Sequence, residues 1–223
     1  MTDPVTEPVS EPVPDLTPGA RQPHYFDSPA GAAERRTLHL TLAGRDVDVV
    51  TADGVFSGGR LDLGTRVLLR EVPDPPATGD LLDLGCGWGP LALTMAMLSP
   101  EATIWAVDVN ERALQLTRQN ADKLRLTRLR ARVPDKVPAD VRFAAIWSNP
   151  PIRVGKAELH AMLLHWLPRL TPDGEAYLVV QRNLGADSLH AWLQAELTAE
   201  HGGPFTVTRA GSAKGYRVLR LAR

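Results

Sequence analysis

The sequence predicts an α/β protein built on a doubly wound, mostly parallel sheet of seven strands, preceded by a short N-terminal β-hairpin. Three observations support this fold class. Strand-like and helix-like segments alternate from residue 80 onwards, which is typical of parallel strands joined by right-handed helical crossovers. The last two strand segments are separated by a short connection and should pair antiparallel. Residues 37–50 instead alternate apolar and polar side chains, as in a hairpin with one buried face.

The N-terminal residues 1–20 repeat an acidic-Pro-Val unit such as Asp3-Pro4-Val5. This composition buries too little apolar surface to offset the entropy lost on ordering, so we predict a disordered leader. We expect residues 21–223 to form a single domain. Within it, residues 21–75 are an extension that contains the hairpin and one helix.

The helix of the extension is predicted at 61–72. Leu63, Val67 and Leu68 have helical spacing, and Pro73 ends the helix because proline cannot continue it.

Seven strands and four further helices are predicted after the extension. The strands are expected at 80–84, 103–108, 127–133, 142–148, 175–181, 204–210 and 214–221, and the helices at 89–98, 110–123, 156–169 and 186–199. The connection Ala210-Gly211-Ser212-Ala213 should join the last two strands as an antiparallel hairpin.

The composition excludes several classes of protein. No apolar run approaches the roughly 20 residues that a membrane-spanning helix needs, and no basic-then-apolar signal peptide opens the chain. The single cysteine, Cys86, excludes an internal disulfide framework, and no Cys/His cluster suggests a metal. We therefore expect a cytoplasmic protein with no membrane partner.

The charge is unevenly distributed along the chain. The formal net charge is −1, but residues 1–20 hold four acids and no base, so the remainder carries +3. Basic residues cluster at 112–136 and 209–223. These clusters could contact nucleic-acid phosphates, or they could be ordinary solvated surface.

The segment 81–89 predicts a buried strand that breaks into a glycine turn. Gly85, Gly87 and Gly89 permit positive φ angles and let a ligand approach the backbone closely. Their G-x-G-x-G spacing differs from the G-x-G-x-x-G fingerprint of dinucleotide sites. Asp83 at the strand end favours a zwitterionic ligand that carries an ammonium group over a pyrophosphate. We predict that all four residues bind such a cofactor.

A second carboxylate, Asp108, ends the next predicted strand. It follows the glycine turn by roughly 20 residues, the usual spacing for a carboxylate that binds both hydroxyls of a ribose. Asn110 is predicted as a helix N-cap and a cofactor neighbour. The alternative for Asp108 is a purely structural cap. The residue that contacts the adenine is expected near 132–135, and the sequence does not single one out.

The segment Ser148-Asn149-Pro150-Pro151-Ile152 ends the fourth predicted strand of the sheet, facing the glycine turn. The amide oxygen of Asn149 and the carbonyl of Pro150 can accept hydrogen bonds from a planar exocyclic amine, which makes its nitrogen more nucleophilic. The two prolines fix the local geometry. The alternative is an ordinary Asn-Pro turn.

These two segments, in this order and spacing, resemble the S-adenosylmethionine-dependent methyltransferases that modify exocyclic amino groups. The resemblance implies a Rossmann-like methyltransferase fold, with one antiparallel strand inserted near the end of the sheet. It also implies S-adenosyl-L-methionine as cofactor, no metal, and catalytic roles for Asn149 and Pro150.

The residues around the prolines resemble more closely the small-domain methyltransferases that modify position 2 of guanine in ribosomal RNA. Relatives that act on adenine, cytosine or protein glutamine commonly have an aromatic residue where this chain has Ile152. The resemblance implies that Ile152, Arg153 and Lys156 bind the substrate, and that Phe56 and Thr65 contact the cofactor. It runs from about residue 23 to the end and also rests on His24-Tyr25-Phe26, Gly54-Val55-Phe56-Ser57, Leu61-Asp62-Leu63-Gly64-Thr65-Arg66 and Lys214-Gly215-Tyr216-Arg217-Val218.

Two departures from the family pattern are visible. Phe143-Ala144 stands where family members commonly have Phe-Asp. Longer members also carry a second, degenerate copy of the fold in front. We expect RNA recognition here to come from the single domain or from a partner subunit, a homodimer included.

We therefore predict a methyltransferase that acts on the exocyclic amine of a guanine in ribosomal RNA, with the small subunit favoured. The alternatives are a methyltransferase acting on another RNA base, protein glutamine or a small molecule. The remaining alternative, from a different class, is a non-catalytic RNA-binding module. The presence of all the predicted cofactor-binding residues of the strand ends, together with Asn149, argues against it.

Overall fold

A seven-stranded sheet forms the centre of the fold, with helices on both of its faces. The computed structural model describes residues 34–55, 59–197 and 205–223. The strands in chain order are β1 Arg35–Leu42, β2 Arg45–Ala52, β3 Asp80–Leu84, β4 Thr103–Val107, β5 Leu129–Arg132, β6 Phe143–Ser148, β7 Leu170–Gln181, β8 Thr206–Ala213 and β9 Tyr216–Ala222. The helices of more than one turn are α1 Leu63–Glu71, α2 Pro90–Leu98, α3 Glu111–Lys123, α4 Lys156–Trp166 and α5 Ala186–Glu196.

The strand order confirms the predicted doubly wound sheet. The order across the sheet is β5-β4-β3-β6-β7-β9-β8. Every neighbouring pair is parallel except the two that contain β9, which runs antiparallel to both β7 and β8. The chain order reverses direction at β3, so the segments after β3, β4 and β6 meet at one edge of the sheet. Ligands of such sheets bind at this edge.

The last hairpin turns later than the sequence predicted. The connection was expected at 210–213, but β8 continues through those residues, and the turn is Lys214-Gly215. A register irregularity between Arg209 and Gly211 accommodates the extra length. Both turn residues have positive φ angles, 49° and 82°, as a two-residue hairpin turn requires.

Both faces of the sheet are buried, which explains why its central strands are almost continuously apolar. On one face Leu82 and Ile146 pack beneath α4 and α5, and on the other Leu81 and Trp147 pack beneath α1, α2 and α3. Two of these strands, β3 and β6, therefore have little freedom to move. Their carboxyl ends provide a rigid base for the loops that follow.

The predicted hairpin and helix of the extension are present and pack against the rest of the domain. The hairpin buries Leu42 and Val49 against Trp88, Leu93 and Leu116, while α1 contacts β7, β8 and β9. The predicted leader, residues 1–20, lies outside the described residues. No helix among the described residues is long and apolar enough to cross a membrane.

Candidate active site

A cavity of about 580 Å³ opens at the carboxyl edge of the sheet, where the segments after β3, β4, β6 and β7 converge. Residues from β4 lie on one side of β3 and residues from β6 and β7 on the other. The cavity thus has two halves that meet at the glycine turn. Its lining residues are Gly54, Val55, Asp62, Leu84, Gly85, Gly87, Val107, Asp108, Val109, Asn110, Ala113, Pro134, Asn149, Pro150, Pro151, Ile152, Met162, Trp166, Val179, Gln181, Leu184 and Tyr216.

The glycine turn depends on backbone angles that other residues rarely adopt. Gly85, Gly87 and Gly89 have φ angles of 76°, 56° and 96°. Gly85 and Gly87 line the cavity. Gly89 instead faces Thr117, since a Cβ added to it would lie 2.9 Å from the Thr117 methyl carbon. The structure therefore gives Gly89 a packing role beneath α2, while the first two glycines expose backbone to the cavity.

Asp108 holds the glycine turn as well as facing the cavity. Its two carboxylate oxygens accept hydrogen bonds from the backbone N–H groups of Gly87 and Asn110, each at 2.9 Å. Burial raises the pKa of Asp108, and these hydrogen bonds oppose the shift. Each oxygen retains a second lone pair with which it can accept a hydroxyl of a ribose.

Asn110 links α3 to the end of the hairpin. Its side-chain oxygen accepts a hydrogen bond from the Arg112 N–H at 3.0 Å, which makes it the predicted N-cap. Its amide nitrogen donates to the Gly54 carbonyl at 3.2 Å. The hairpin extension is thereby fastened to the β4 side of the cavity.

Asp83 is fully buried directly below the glycine turn. One carboxylate oxygen accepts a hydrogen bond from the Ala92 N–H at 2.8 Å, and the other has no hydrogen-bond partner. Burial is the main reason that the pKa of Asp83 is raised to about 8. The hydrogen bond from Ala92 opposes this rise, and the nearby charge of Asp108 adds to it. An unpartnered buried carboxylate oxygen is costly, and a cationic ligand group would satisfy it.

The donors and acceptors on this side of the cavity fit S-adenosylmethionine. Gly85 and Gly87 leave space along the backbone, Asp108 offers acceptors for ribose hydroxyls, and Asp83 lies beside a small adjoining cavity. That small cavity is also lined by Asn149 and Thr65. A cofactor with an ammonium group and no phosphate matches this acidic environment better than a dinucleotide does.

Asn149 lies at the opposite side of the glycine turn, and its amide is fixed by the extension. Its side-chain nitrogen donates to a carboxylate oxygen of Asp62 at 2.9 Å and to the Thr65 hydroxyl at 3.1 Å. Among the described residues, its side-chain oxygen takes part in no hydrogen bond, and Asn149 lines the cavity. This is the geometry needed to accept a hydrogen bond from an amine. Thr65, predicted to contact the cofactor, lines only the small adjoining cavity.

Pro150 and Ile152 shape the wall next to Asn149. The Pro150 carbonyl accepts a hydrogen bond from the Ile152 N–H at 2.8 Å, across Pro151 with φ −74° and ψ 76°. These angles define an inverse γ-turn. A carbonyl oxygen has a second lone pair, so Pro150 can still accept another hydrogen bond. Ile152 presents an apolar side chain to the cavity.

Three of the predicted contacts lie elsewhere or outside the described residues. Lys156 is exposed at the start of α4 and does not line the cavity. Arg153 belongs to a short 3-10 helix, Ile152–Val154. Phe56 falls outside the described residues. The described residues contain no group of three or more His, Cys, Asp or Glu side chains that could hold a metal ion.

Sequence reasoning did not assign several of the cavity residues to the site, among them Asp62, Trp166, Gln181 and Tyr216. Asp62 had a signal, because it precedes Thr65 by three residues and forms the N-cap of α1. Gln181 ends β7, so its position at the carboxyl edge was also predictable. Trp166 and Tyr216 lie at the end of α4 and the start of β9, and only the packing brings them to the cavity.

The structure also identifies supports of the glycine turn that the sequence did not. The Thr117 hydroxyl donates to the Gly87 carbonyl at 2.9 Å. Asn120 donates to the Trp88 carbonyl at 3.1 Å and also bonds both backbone groups of Val50 in β2, at 2.6 and 2.9 Å. Both side chains are buried on α3.

Comparison with known proteins agrees with the fold. The family model described as methyltransferase small domain matches residues 46–219. YbxB of Bacillus subtilis (strain 168) is 33% identical over 203 residues, which cover 90% of this chain and 98% of YbxB. The ribosomal RNA small subunit methyltransferase C of Hamiltonella defensa is 40% identical over 114 residues, 50% of this chain but only 33% of that relative.

Among solved structures, the Thermus thermophilus 16S rRNA N2 G1207 methyltransferase, in complex with AdoMet and guanosine, has a similar fold. The TM-score is 0.67 at 24% identity, and the match covers 87% of this chain and 52% of that one. At this identity the likeness supports the fold alone. The family match, which spans most of the chain, carries the assignment: the chain belongs to the methyltransferase small domain family.

Proposed function

We propose that this protein transfers a methyl group from S-adenosylmethionine to the exocyclic amine of a guanine in ribosomal RNA, with small-subunit RNA favoured. The observation that carries the proposal is the Asn149 side chain, whose nitrogen is fixed and whose oxygen is left for a ligand. Asn149 lines the same cavity as the glycine turn and Asp108. A cytoplasmic setting, and RNA recognition by this domain or by a pair of subunits, belong to the same proposal.

The choice of substrate is supported by named relatives and by one residue of the chain. The ribosomal RNA small subunit methyltransferases C are similar over about a third of their own length. A structural neighbour is described as a complex with AdoMet and guanosine. Ile152 lines the cavity where an aromatic residue is expected in enzymes that act on adenine, cytosine or glutamine.

The chain's own residues act by holding the reactants in place. S-adenosylmethionine supplies an electrophilic methyl group that an amine can attack directly, so the protein's contribution is positioning. The amide oxygen of Asn149 accepts a hydrogen bond from the amine N–H and stabilises the positive charge that develops on nitrogen. The second lone pair of the Pro150 carbonyl can accept from the other N–H. Asp108 and the glycine turn fix the cofactor on the other side.

The proposal is tested by supplying purified protein with labelled cofactor and three acceptors. These are small ribosomal subunits, large ribosomal subunits and a protein release factor. We expect label on small-subunit RNA, recovered as a guanine methylated at its exocyclic amine after digestion and chromatography. Label on protein, adenine or cytosine would contradict the guanine assignment.

Replacement of the catalytic amide tests the chemistry directly. Asn149→Ala should lower turnover by about 10²-fold, because a preorganised hydrogen-bond acceptor for the reacting amine is lost. Cofactor affinity should remain within about threefold, since Asn149 is assigned to the acceptor. Gln115→Ala, an exposed amide on α3, is the matched control. Turnover of Asn149→Ala within about threefold of the parent would show that another group orients the amine.

A further inference from the structure

The contact between Asp62 and Asn149 joins the extension to the residue that holds the amine. Asp62 lies 87 residues before Asn149 in the chain, and their side chains are 2.9 Å apart. We propose that Asp62 is a positioning residue that sets the orientation of the Asn149 amide, an inference that rests on the proposed function.

The chemistry of a carboxylate allows only one orientation of the amide. An ionised Asp side chain accepts hydrogen bonds and cannot donate them. A flipped Asn149 amide would place its oxygen against the Asp62 oxygen, where two acceptors repel. The nitrogen must therefore face Asp62 and Thr65, and the oxygen must face away from them. A purely structural pair of neutral side chains would not impose this direction.

The carboxylate itself is held firmly, so it can transmit that orientation. The same Asp62 oxygen accepts a hydrogen bond from the Thr65 N–H at 3.1 Å and thereby caps α1. A Cβ added to Gly64 would lie 2.9 Å from this oxygen and 3.3 Å from the Asn149 nitrogen. A side chain at residue 64 would therefore displace the Asp62 carboxylate from its contact with Asn149.

The charge of Asp62 also affects the acceptor strength of the amide. A carboxylate that accepts a hydrogen bond from the amide nitrogen polarises the group and increases the negative charge on its oxygen, as in other chains of hydrogen bonds. A better acceptor binds the amine N–H more strongly as that nitrogen becomes positive. Asp62 thus affects the reaction through Asn149.

The simpler explanation is that Asp62 only caps α1. A serine substitution separates this capping role from the orientation of Asn149. Asp62→Ser keeps a good N-cap oxygen but is shorter and neutral, so it loses the contact with Asn149. Asp62→Asn keeps both an N-cap acceptor and a side chain long enough to reach Asn149. Asp74→Ser, an exposed position beyond the other end of α1, is the matched control.

We expect Asp62→Ser to lower kcat by about tenfold or more, because small errors in positioning a reacting group are costly. KM for the acceptor and affinity for S-adenosylmethionine should change by less than about threefold, and Tm by only a few degrees. Asp62→Asn should recover only part of the lost rate, because it restores the reach to Asn149 but not the charge. In the Asn149→Ala background, Asp62→Ser should have no further effect on kcat. An unchanged kcat in Asp62→Ser would overturn the proposal. So would a double variant in which the fold-reductions in kcat of the two single variants multiply.

A spectroscopic measurement keeps this inference separate from the choice of substrate. The side-chain NH₂ signals of Asn149, assigned by their loss in Asn149→Ala, should move in the ¹⁵N–¹H spectrum of Asp62→Ser and stay in place in Asp74→Ser. If no acceptor is methylated by the parent protein, the proposed function fails while this test still applies. Unmoved Asn149 signals in Asp62→Ser would reject the positioning role whatever the substrate.

Discussion

The important polar residues of the site are each held in place by hydrogen bonds from the fold. Asp83 bonds the start of α2 with one oxygen and leaves the other unpartnered. Asn149 is anchored through its nitrogen and lines the cavity. Asp108 accepts one backbone hydrogen bond on each oxygen. The protein therefore fixes these groups before any ligand arrives, which lowers the entropy lost on binding.

Asp108→Ala should weaken S-adenosylmethionine binding by at least about tenfold. The variant removes the acceptors for the ribose, and hydrogen bonds to charged groups contribute roughly 1.5–3 kcal/mol each. It also releases the Gly87 and Asn110 N–H groups that shape the turn. Isothermal titration calorimetry measures the affinity and circular dichroism checks the fold. Asp122→Ala, an exposed carboxylate on α3, is the control, and equal affinity in both variants would remove Asp108 from the ribose site.

The raised pKa of Asp83 predicts a pH-dependent stability. Burial raises this pKa to about 8 from a model-peptide value of 3.8, so between about pH 4 and 8 the folded state keeps a proton that the unfolded chain has released. The contribution of Asp83 is therefore greatest below pH 4 and is lost as the pH rises through 8. Urea titrations of the protein and of Asp83→Asn should show a smaller decline in the variant. Identical pH profiles would contradict a buried, protonated Asp83.

The same carboxyl predicts that cofactor binding releases a proton near neutral pH. In the free protein at pH 7 the Asp83 carboxyl is mostly protonated, because its pKa is about 8. A nearby ammonium favours the ionised form, so binding should release a proton and become tighter from pH 6 to 8. Calorimetry in buffers of different ionisation enthalpy measures the proton count. Asp83→Asn should abolish the release of this proton. If the variant releases as many protons as the parent protein, the proton comes from another group.

At the scale of elements, α3 holds the hairpin and the glycine turn together. Asn120 satisfies both backbone groups of Val50 on the edge of β2 and also bonds the Trp88 carbonyl within the turn. The buried Asn120 side chain thus makes the two hydrogen bonds to Val50 that a neighbouring strand would otherwise make. Through this contact the extension in front of the sheet is coupled to the cofactor side of the site.

Asn120→Ala should lower the free energy of unfolding by about 2–4 kcal/mol. The variant leaves the buried Trp88 carbonyl and two part-buried backbone groups of Val50 without these partners, and each unsatisfied buried group costs roughly 1–3 kcal/mol before water compensates. Chemical denaturation at constant m-value measures the change. Gln119→Ala, the exposed neighbour on the same helix, should stay within about 0.5 kcal/mol. A similarly small loss for Asn120→Ala would mean that the hairpin is held by its apolar contacts alone.

At the scale of the whole molecule, internal contacts occupy part of the basic surface that the sequence suggested. Arg128 pairs with Glu101 at 3.4 Å, and Arg130 lies over the Trp105 ring at 5.2 Å. In the C-terminal cluster Arg220 pairs with Glu175, and Arg217 pairs with Asp187. The paired Arg128 keeps 54% of its side chain exposed, against 15% for Arg217 and 36% for Arg220, so the β5 edge of the sheet is the better candidate for the proposed RNA surface.

Charge reversal on β5 tests this surface. Arg128→Glu combined with Arg130→Glu should weaken binding of ribosomal RNA and reduce its salt dependence by about one counterion per lost phosphate contact. Affinity for S-adenosylmethionine should not change. Arg70→Glu on α1, which packs near the opposite edge of the sheet, is the control. If the double charge reversal at Arg128 and Arg130 changes RNA binding no more than Arg70→Glu does, the β5 face is excluded as the RNA surface.

Much of the fold followed from local sequence patterns. The alternation of apolar strands with amphipathic helices is a property of consecutive residues, so the strands and helices were predicted with shifts of a few residues. The largest shift is at β7, which begins at Leu170 and not near 175, since an irregular pairing between Phe143 and Ala145 admits extra residues. The last turn was predicted too early, at 210–213. The small residues there looked like a loop, but β8 continues through them because its pairing with β9 contains an irregularity.

The sequence by itself determined the fold class, the glycine turn and the places of Asp83, Asp108 and Asn149, because each lies directly at the end of a strand. Only the tertiary structure decided which atoms of those residues are already engaged, and it brought Asp62, Thr117 and Asn120 to the site from distant segments. Hydrogen bonds between residues far apart in the chain, such as the 87-residue separation of Asp62 and Asn149, leave no periodic signal. They form because packing of the extension against the sheet brings the two side chains within 2.9 Å.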